Sequence, residues 1–169
     1  LGAPLLAARF PRAYLDVNRE PYELDPKMFA ETLPAFVNAG SIRVAGGLGT
    51  IPRIVAENEE IYRDVLPLAE GLRRIEELYK PFHQAIEEAL QRTRERFGLA
   101  ILIDCHSMPS SVRALPGGRR PDIVIGDRFG TSAAGRLVSI ATSRIVALGY
   151  DVARNKPYAG GFITEHYGR

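Results

Sequence analysis

Leu99-Ala-Ile-Leu-Ile103 runs without interruption into Asp104-Cys105-His106-Ser107, and the fold class turns on how that stretch is read. Five consecutive apolar residues with no polar alternation predict a strand covered on both faces, as in a parallel sheet. Open α/β sheets present their ligand-binding groups at the carboxyl ends of strands, which is where Asp-Cys-His-Ser falls. Period-two alternation puts Asp104 and His106 on one face of that strand end. An imidazole so placed is either a metal ligand backed by Asp104 or a histidine that caps the sheet by hydrogen bonds. Ser107 is a poor candidate nucleophile, because no Gly-x-Ser-x-Gly elbow surrounds it.

Toward the C-terminus, Ser110 to Arg120 reads as a polar loop. Asp122 to Ile125 is a second short buried strand ending at Gly126-Asp127. Thr131 to Leu148 is an amphipathic helix with a Thr or Ser cap and an end near Gly149, and Tyr150 to Ala153 is the next strand. Strand, helix and strand in alternation argue for an α/β sheet with helices on its faces. Tyr158 to Gly168 is Gly-rich and aromatic and reads as a loop that positions groups. His166 and Glu165, as neighbours on one strand, would point oppositely.

Toward the N-terminus, Val65 to Phe97 carries the strongest helical signal. Leu68, Leu72, Ile75, Leu78, Tyr79, Phe82, Ile86 and Leu90 recur at three- and four-residue steps. Pro81 should kink or divide this helix, and Gly98 is placed to cap it. His83 reads as a surface or interhelix residue. Gly46 to Thr50 is a tight turn into Ile51-Pro52. It lacks the Lys-Ser/Thr of a phosphate-binding loop, so a structural turn is the better reading; Gly160 to Thr164 has the same ambiguity. Asp25-Pro26 predicts an N-cap with proline at the first helical position, and a short helix over Lys27 to Phe36 limited by Pro34. Leu5 to Val17, broken by Pro11, predicts a strand, a bend and a second strand through Tyr14 to Val17. Asn18 and Arg19 follow it. They offer a fork of donors suited to a carboxylate, or a surface ion pair with Glu20 or Glu23.

The chain has 169 residues and a formal net charge of +2, which predicts one domain and gives no support to nucleic acid or an anionic membrane as a partner. Arg119-Arg120 is too short a basic cluster to be a footprint. Cys105 is the only cysteine, so an internal disulfide is impossible and a reducing cytoplasm is expected. No run is long enough to span a membrane, and Leu1 to Phe10 shows no basic n-region of the kind a signal peptide carries. The chain starts at Leu1 and stops just past the Gly-rich aromatic stretch. Both termini are therefore expected to be cut, leaving the domain over 1–169 incomplete.

Five segments in order resemble the N-formylglutamate amidohydrolase family, distant relatives of the zinc carboxypeptidases. They are Leu15-Asp-Val-Asn-Arg19, Gly47-Leu-Gly-Thr-Ile-Pro-Arg53, Ile103-Asp-Cys-His-Ser-Met-Pro109, the run from Arg120 to Thr131, and Ala159-Gly-Gly-Phe-Ile-Thr-Glu-His-Tyr-Gly168. Each is weak alone; together they cover nearly the whole chain. The resemblance implies a three-layer α/β sandwich with a mostly parallel sheet, like the zinc carboxypeptidases. It implies a zinc site in which His106 is the third ligand and Asp104 supports it. It further implies substrate contacts at Asn18, Arg19, Gly161 and Thr164, with Asn18-Arg19 matching the pair that holds a substrate carboxylate in the relatives.

The resemblance also implies a reaction, the zinc-dependent hydrolysis of N-formyl-L-glutamate, or of a related N-acyl amino acid, to an acid and a free amine. Such a small-molecule substrate would be its partner. The family's early His and acidic ligands are expected before Leu1, and its general-base glutamate beyond Arg169. On that expectation this chain alone binds zinc weakly or not at all and is inactive. The alternatives are a carboxypeptidase-like peptidase and a non-catalytic domain that keeps the fold without the metal site. The oligomeric state is not legible.

Overall fold

The computed structural model describes residues 2–56, 59–110 and 120–168. The chain divides into two compact units, Leu1–Ile101 and Leu102–Arg169. It is an α/β protein.

The first unit is built on one long helical rod. Helix α2 (Leu68–Arg74) passes into a π-helical turn (Ile75–Tyr79) and then into α3 (Lys80–Phe97). Pro81 accounts for the irregularity at the junction. It has no N–H for the carbonyl four residues back, so the preceding turn widens instead of breaking. Gly98 ends the rod in the left-handed conformation, with φ 75°, and its N–H donates to Arg94 O. The expected apolar stripe is only partly the buried one. Ile75, Tyr79 and Ile86 are buried, but so are Gly71, Arg74 and His83. Gly71 is there because a Cβ would lie 2.7 Å from the Phe29 ring, so α2 can sit directly on Phe29.

The polar residues on that buried face hold the segment from Tyr14 to Arg19. Arg74 donates to Tyr14 O at 3.2 Å, His83 Nε2 lies 2.9 Å from Val17 O, and Tyr79 donates its hydroxyl to Arg19 O at 2.6 Å. The Tyr79 and His83 rings stack at 4.2 Å. His83 is thus an interior residue, not a surface one. The predicted strand over Tyr14 to Val17 is instead a series of turns. Its carbonyls bond to helix side chains, so no sheet ladder can form there.

Around this clamp lie short elements. Pro26–Met28 is a single 3₁₀ turn capped by the Asp25 carboxylate on Lys27 N. The predicted cap is present, but the helix over Lys27 to Phe36 is not. Its residues turn away to form a parallel bridge, Phe29 to Leu66. Helix α1 (Ile42–Ala45) is capped by Ser41. It leads into the Gly46–Thr50 turn, where Gly49 is obligatory because a Cβ would strike Glu23 O. Strands β1 (Ile54–Ala56) and β2 (Glu59–Glu60) form an antiparallel ribbon.

In the second unit β3 (Ile123–Ile125) and β4 (Val152–Arg154) pair in parallel, in the register Ile123 to Val152 and Ile125 to Arg154, and α4 (Gly135–Ala147) connects them. The parallel β-α-β reading of this half holds. The cap of α4 is corrected: Ala134 stands at the N-cap and no side chain caps the helix. Tyr158 to Gly168 is also corrected, because Phe162–Tyr167 is a short helix, α5, with Ile163 buried. Most of the predicted loop from Ser110 to Arg120, residues 111–119, lies outside the described residues.

The largest departure is Leu99 to Ile103. It pairs with no strand among the described residues, and Leu99, Ile101, Leu102 and Ile103 are exposed, Ile103 at 78%. Apolar composition makes a buried strand only where neighbours supply hydrogen-bond partners and cover. Pairing among the described residues amounts to one antiparallel ribbon, one parallel pair and the isolated Phe29–Leu66 bridge. The larger sheet of a three-layer sandwich is not assembled there.

Arg74 joins both halves of the clamp. It also bonds Glu70 at 2.9 Å and Tyr62 Oη at 2.7 Å. Two arginines, Arg73 first and then Arg74, hold the Glu70 carboxyl down at about 2. A depressed carboxyl stabilises the fold above its unfolded pKa, and that contribution is lost as the pH falls toward the folded value. Arg74→Met should cost about 2 kcal/mol by urea unfolding, because it removes the donor to Tyr14 O and Tyr62 Oη and one of the two arginines on Glu70. Glu70→Gln should cost about 1 kcal/mol at neutral pH, with the gap to wild type closing between about pH 4 and pH 2. A gap independent of pH would show that the pairing does not act through charge.

Candidate functional site

Within the second unit, Asp104 and His106 are together as alternation predicts: His106 Nε2 lies 2.8 Å from Asp104 Oδ2. The His106 side chain is 45% exposed and that of Asp104 21%. The expected placement of the pair at the carboxyl edge of a central strand is not observed, because Leu99 to Ile103 is unpaired. A carboxylate bound to one ring nitrogen fixes the orientation of an imidazole, as it does for histidines that ligate metals. Among the described residues no group of three or more His, Cys, Asp or Glu side chains is arranged to hold a metal ion.

Gly161 and Thr164 also lie in this unit. Gly161 is the N-cap residue of α5, and Thr164 projects from the first turn of that helix. The Thr164 methyl occupies the space beside Gly160, where a Cβ would lie 2.7 Å away. Glu165 and His166 are one helical step apart, not on a strand, and His166 stacks on Phe162 at 5.0 Å.

Sequence reasoning missed a buried polar cluster of the unit, at the carboxyl ends of β3 and β4. Asp127 is 1% exposed. Its carboxylate accepts from Gly130 N at 3.1 Å, Asn155 Nδ2 at 2.6 Å and Arg154 Nη2 at 2.7 Å. Burial pushes its pKa up, but the bonds from Asn155 and Arg154 outweigh that and hold it below the ordinary aspartate value. The turn that Asp127 caps carries two successive residues in the left-handed region, Arg128 (φ 52°) and Phe129 (φ 59°). For residues with a Cβ that costs on the order of 1–2 kcal/mol each. Arg128 N donates to Ala159 O at 2.8 Å, and its guanidinium reaches Glu165 Oε2 at 2.6 Å. Gly126 permits this approach, since a Cβ there would lie 2.7 Å from the Ala159 carbonyl carbon. The signal in the sequence was Asp127 at the end of a strand, read only as the strand's terminator.

In the first unit, Asn18 and Arg19 sit on the clamped segment. Asn18 is buried and its N–H donates to Asp16 Oδ1 at 3.0 Å. Arg19 donates to Leu48 O at 2.9 Å and to Asn18 O at 2.8 Å, and its second terminal nitrogen is 3.4 Å from Asp16. The ion pair expected with Glu20 or Glu23 is therefore with Asp16. The turns bring the Asp16 side chain back toward Arg19. Burial lowers the Arg19 pKa from its ordinary value, with Asp16 opposing. The guanidinium stays charged, and 14% of the side chain is exposed.

The second unit holds a parallel β-α-β motif and a histidine oriented by a carboxylate, and the first holds an arginine anchored on its turn. The family model described as N-formylglutamate amidohydrolase matches residues 1–169. The chain belongs to that family. It is 33% identical over 175 residues to an N-formylglutamate deformylase of Pseudomonas aeruginosa, covering 100% of this chain and 59% of the relative. A second N-formylglutamate deformylase, of Pseudomonas putida, is also 33% identical, with 99% and 58% covered. The crystal structure of an N-formylglutamate amidohydrolase from Ralstonia eutropha superposes with a TM-score of 0.86 at 34% identity, over 96% of this chain and 59% of that one. The chain thus spans about three fifths of the length of the relatives it matches.

Asp127→Ala should lower stability by about 2–4 kcal/mol in chemical denaturation, since it strips a buried acceptor from three donors. Because the Asp127 carboxyl is depressed in the fold, its contribution is present above the ordinary aspartate pKa and disappears as the pH falls below about 4. The wild-type and Asp127→Asn proteins should therefore converge in stability under acid. Equal losses at pH 7 and pH 3 would remove the charge from this account.

Proposed function

We propose that the protein carrying this chain hydrolyses the amide of N-formyl-L-glutamate, or of a closely related N-acyl amino acid, to the free acid and amine. The match of the family model across residues 1–169 carries this reading. Water adds to the formyl carbon, the C–N bond breaks, the amine nitrogen takes up a proton, and formate and L-glutamate leave.

His106 is proposed as one ligand of a zinc ion, with Asp104 fixing its ring. A catalytic zinc needs three protein ligands and an open position. The described residues provide no such group, so they do not by themselves fit a complete zinc site, and no step is drawn through the metal. The general base is proposed to be a glutamate outside these residues. In this reading the 169-residue chain alone binds zinc weakly and is inactive.

Arg19 is proposed to orient a substrate carboxylate, with Asn18 beside it. Its position is fixed by two backbone acceptors and Asp16, which is the preorganisation that makes binding energy useful in the transition state. Gly161 and Thr164 are proposed as substrate contacts at the start of α5. The three-layer sandwich is proposed for the whole protein. No described helix is long and apolar enough to cross a membrane, and the exposed free thiol of Cys105 suits a reducing cytoplasm.

Formate release from N-formyl-L-glutamate by the full-length protein tests the reading. Activity should vanish with a chelator and return with zinc, and His106→Ala should lose at least about a hundredfold in kcat/KM. Full activity in His106→Ala would remove the proposed ligand. Arg19→Lys should lower kcat/KM about tenfold, because lysine cannot supply parallel donors. Normal kinetics together with a lowered Tm would reduce Arg19 to a staple for its own turn.

A further inference from the structure

Arg128 stands out among the cations of the second unit. It and Phe129 are held in succession at positive φ, 52° and 59°. The turn is fixed from below by the buried Asp127 carboxylate, and from the sides by Arg128 N on Ala159 O and Thr131 Oγ1 on Arg128 O. Glycine would adopt this backbone at lower cost, so the strain is retained together with two side chains that glycine would remove. Neither side chain is needed to hold the turn. Phe129 is 72% exposed. Among the described residues one of the five guanidinium donors of Arg128 bonds protein, at Glu165 Oε2, and the side chain is 33% exposed.

That ion pair does not explain the strain. Both partners are partly open to solvent, where such pairs contribute little to stability. A pair of this kind is easily exchanged: a ligand carboxylate can replace or join Glu165 on a guanidinium that is one-third exposed. The planar fork accepts a carboxylate through two parallel bonds.

We propose that Arg128 is a carboxylate-binding residue that determines specificity, holding one carboxylate of the glutamate moiety, with Glu165 occupying that position when substrate is absent. This rests on the hydrolytic reading given above and deepens it. The rigid Asp127 turn sets the position of the guanidinium, and Glu165 keeps it oriented until a carboxylate arrives.

The test uses Arg128→Asn in the full-length protein, because asparagine tolerates positive φ and so removes the guanidinium without disturbing the turn. KM is compared for N-formylglutamate, N-formylglutamine and N-formylisoglutamine, with Tm as a check on folding. KM for N-formylglutamate should rise at least about tenfold with kcat within about twofold. KM should rise for one of the two monoamides, the one that keeps the carboxylate Arg128 holds, and stay unchanged for the other. Arg128→Lys should recover part of the loss. Equal losses on all three substrates, or no loss on any, would overturn the proposal. If the wild-type protein does not hydrolyse N-formylglutamate, the hydrolytic reading fails by itself. Glutarate titration then decides Arg128 separately: binding that is lost in Arg128→Asn supports it, and equal or absent binding in both proteins overturns it.

Discussion

Three backbone carbonyls, those of Tyr14, Val17 and Arg19, have to be satisfied where a turn-rich segment meets a helix. Arg74, His83 and Tyr79 satisfy them. A buried carbonyl without a partner costs about as much as a lost hydrogen bond, so these contacts fix where the segment lies. The spacing from Arg74 to Tyr79 is five residues, one more than an ordinary helical turn provides, and the π turn before Pro81 supplies the extra residue. The irregular turn thereby brings all three donors onto one face. Asp16, Asn18 and Arg19 inherit their positions from that clamp, and Thr50 ties the Gly-rich turn to the same segment through Asp16 N and Glu23 O.

The second unit solves a different problem. Two parallel strands of three residues each end in chain that must turn sharply. The carboxylate of Asp127 collects a backbone N–H, an amide and a guanidinium there. Three donors on one buried anion compensate its desolvation, and their bonds outweigh the upward push of burial on its pKa. The result is a well-bonded turn in which Phe129 is exposed and Arg128 half-buried, both in a conformation that side chains normally avoid. Support of this kind beneath a half-buried cation fixes where its guanidinium lies.

Two local signals match the structure, while the predicted Thr or Ser cap of α4 does not. Asp25 before Pro26 and Gly98 after the helix act through backbone geometry within a few residues. The parallel pairing of Ile123–Ile125 with Val152–Arg154 also followed from the pattern, because an intervening amphipathic helix leaves few other connections. Leu99 to Ile103 was misread for the opposite reason. Its composition specifies apolar contact, but a strand exists only with hydrogen-bonded neighbours. The helix over Lys27 to Phe36 and the strand over Tyr14 to Val17 failed in the same way, each yielding to bonds made with residues about forty to seventy positions away.

By itself the sequence determined the family, through five short segments in order, and it determined the local pairing of Asp104 with His106, since alternate residues in extended chain share a face. The tertiary structure alone decided that His83 and Arg74 are interior hydrogen-bonding groups, that Arg19 is anchored by Leu48 O, that Asp127 gathers Arg154 and Asn155, and that Arg128 meets Glu165. Those roles depend on partners about thirty to seventy residues distant. A hydrogen bond between such partners carries no periodicity and no spacing rule, so it appears only once the chain has folded.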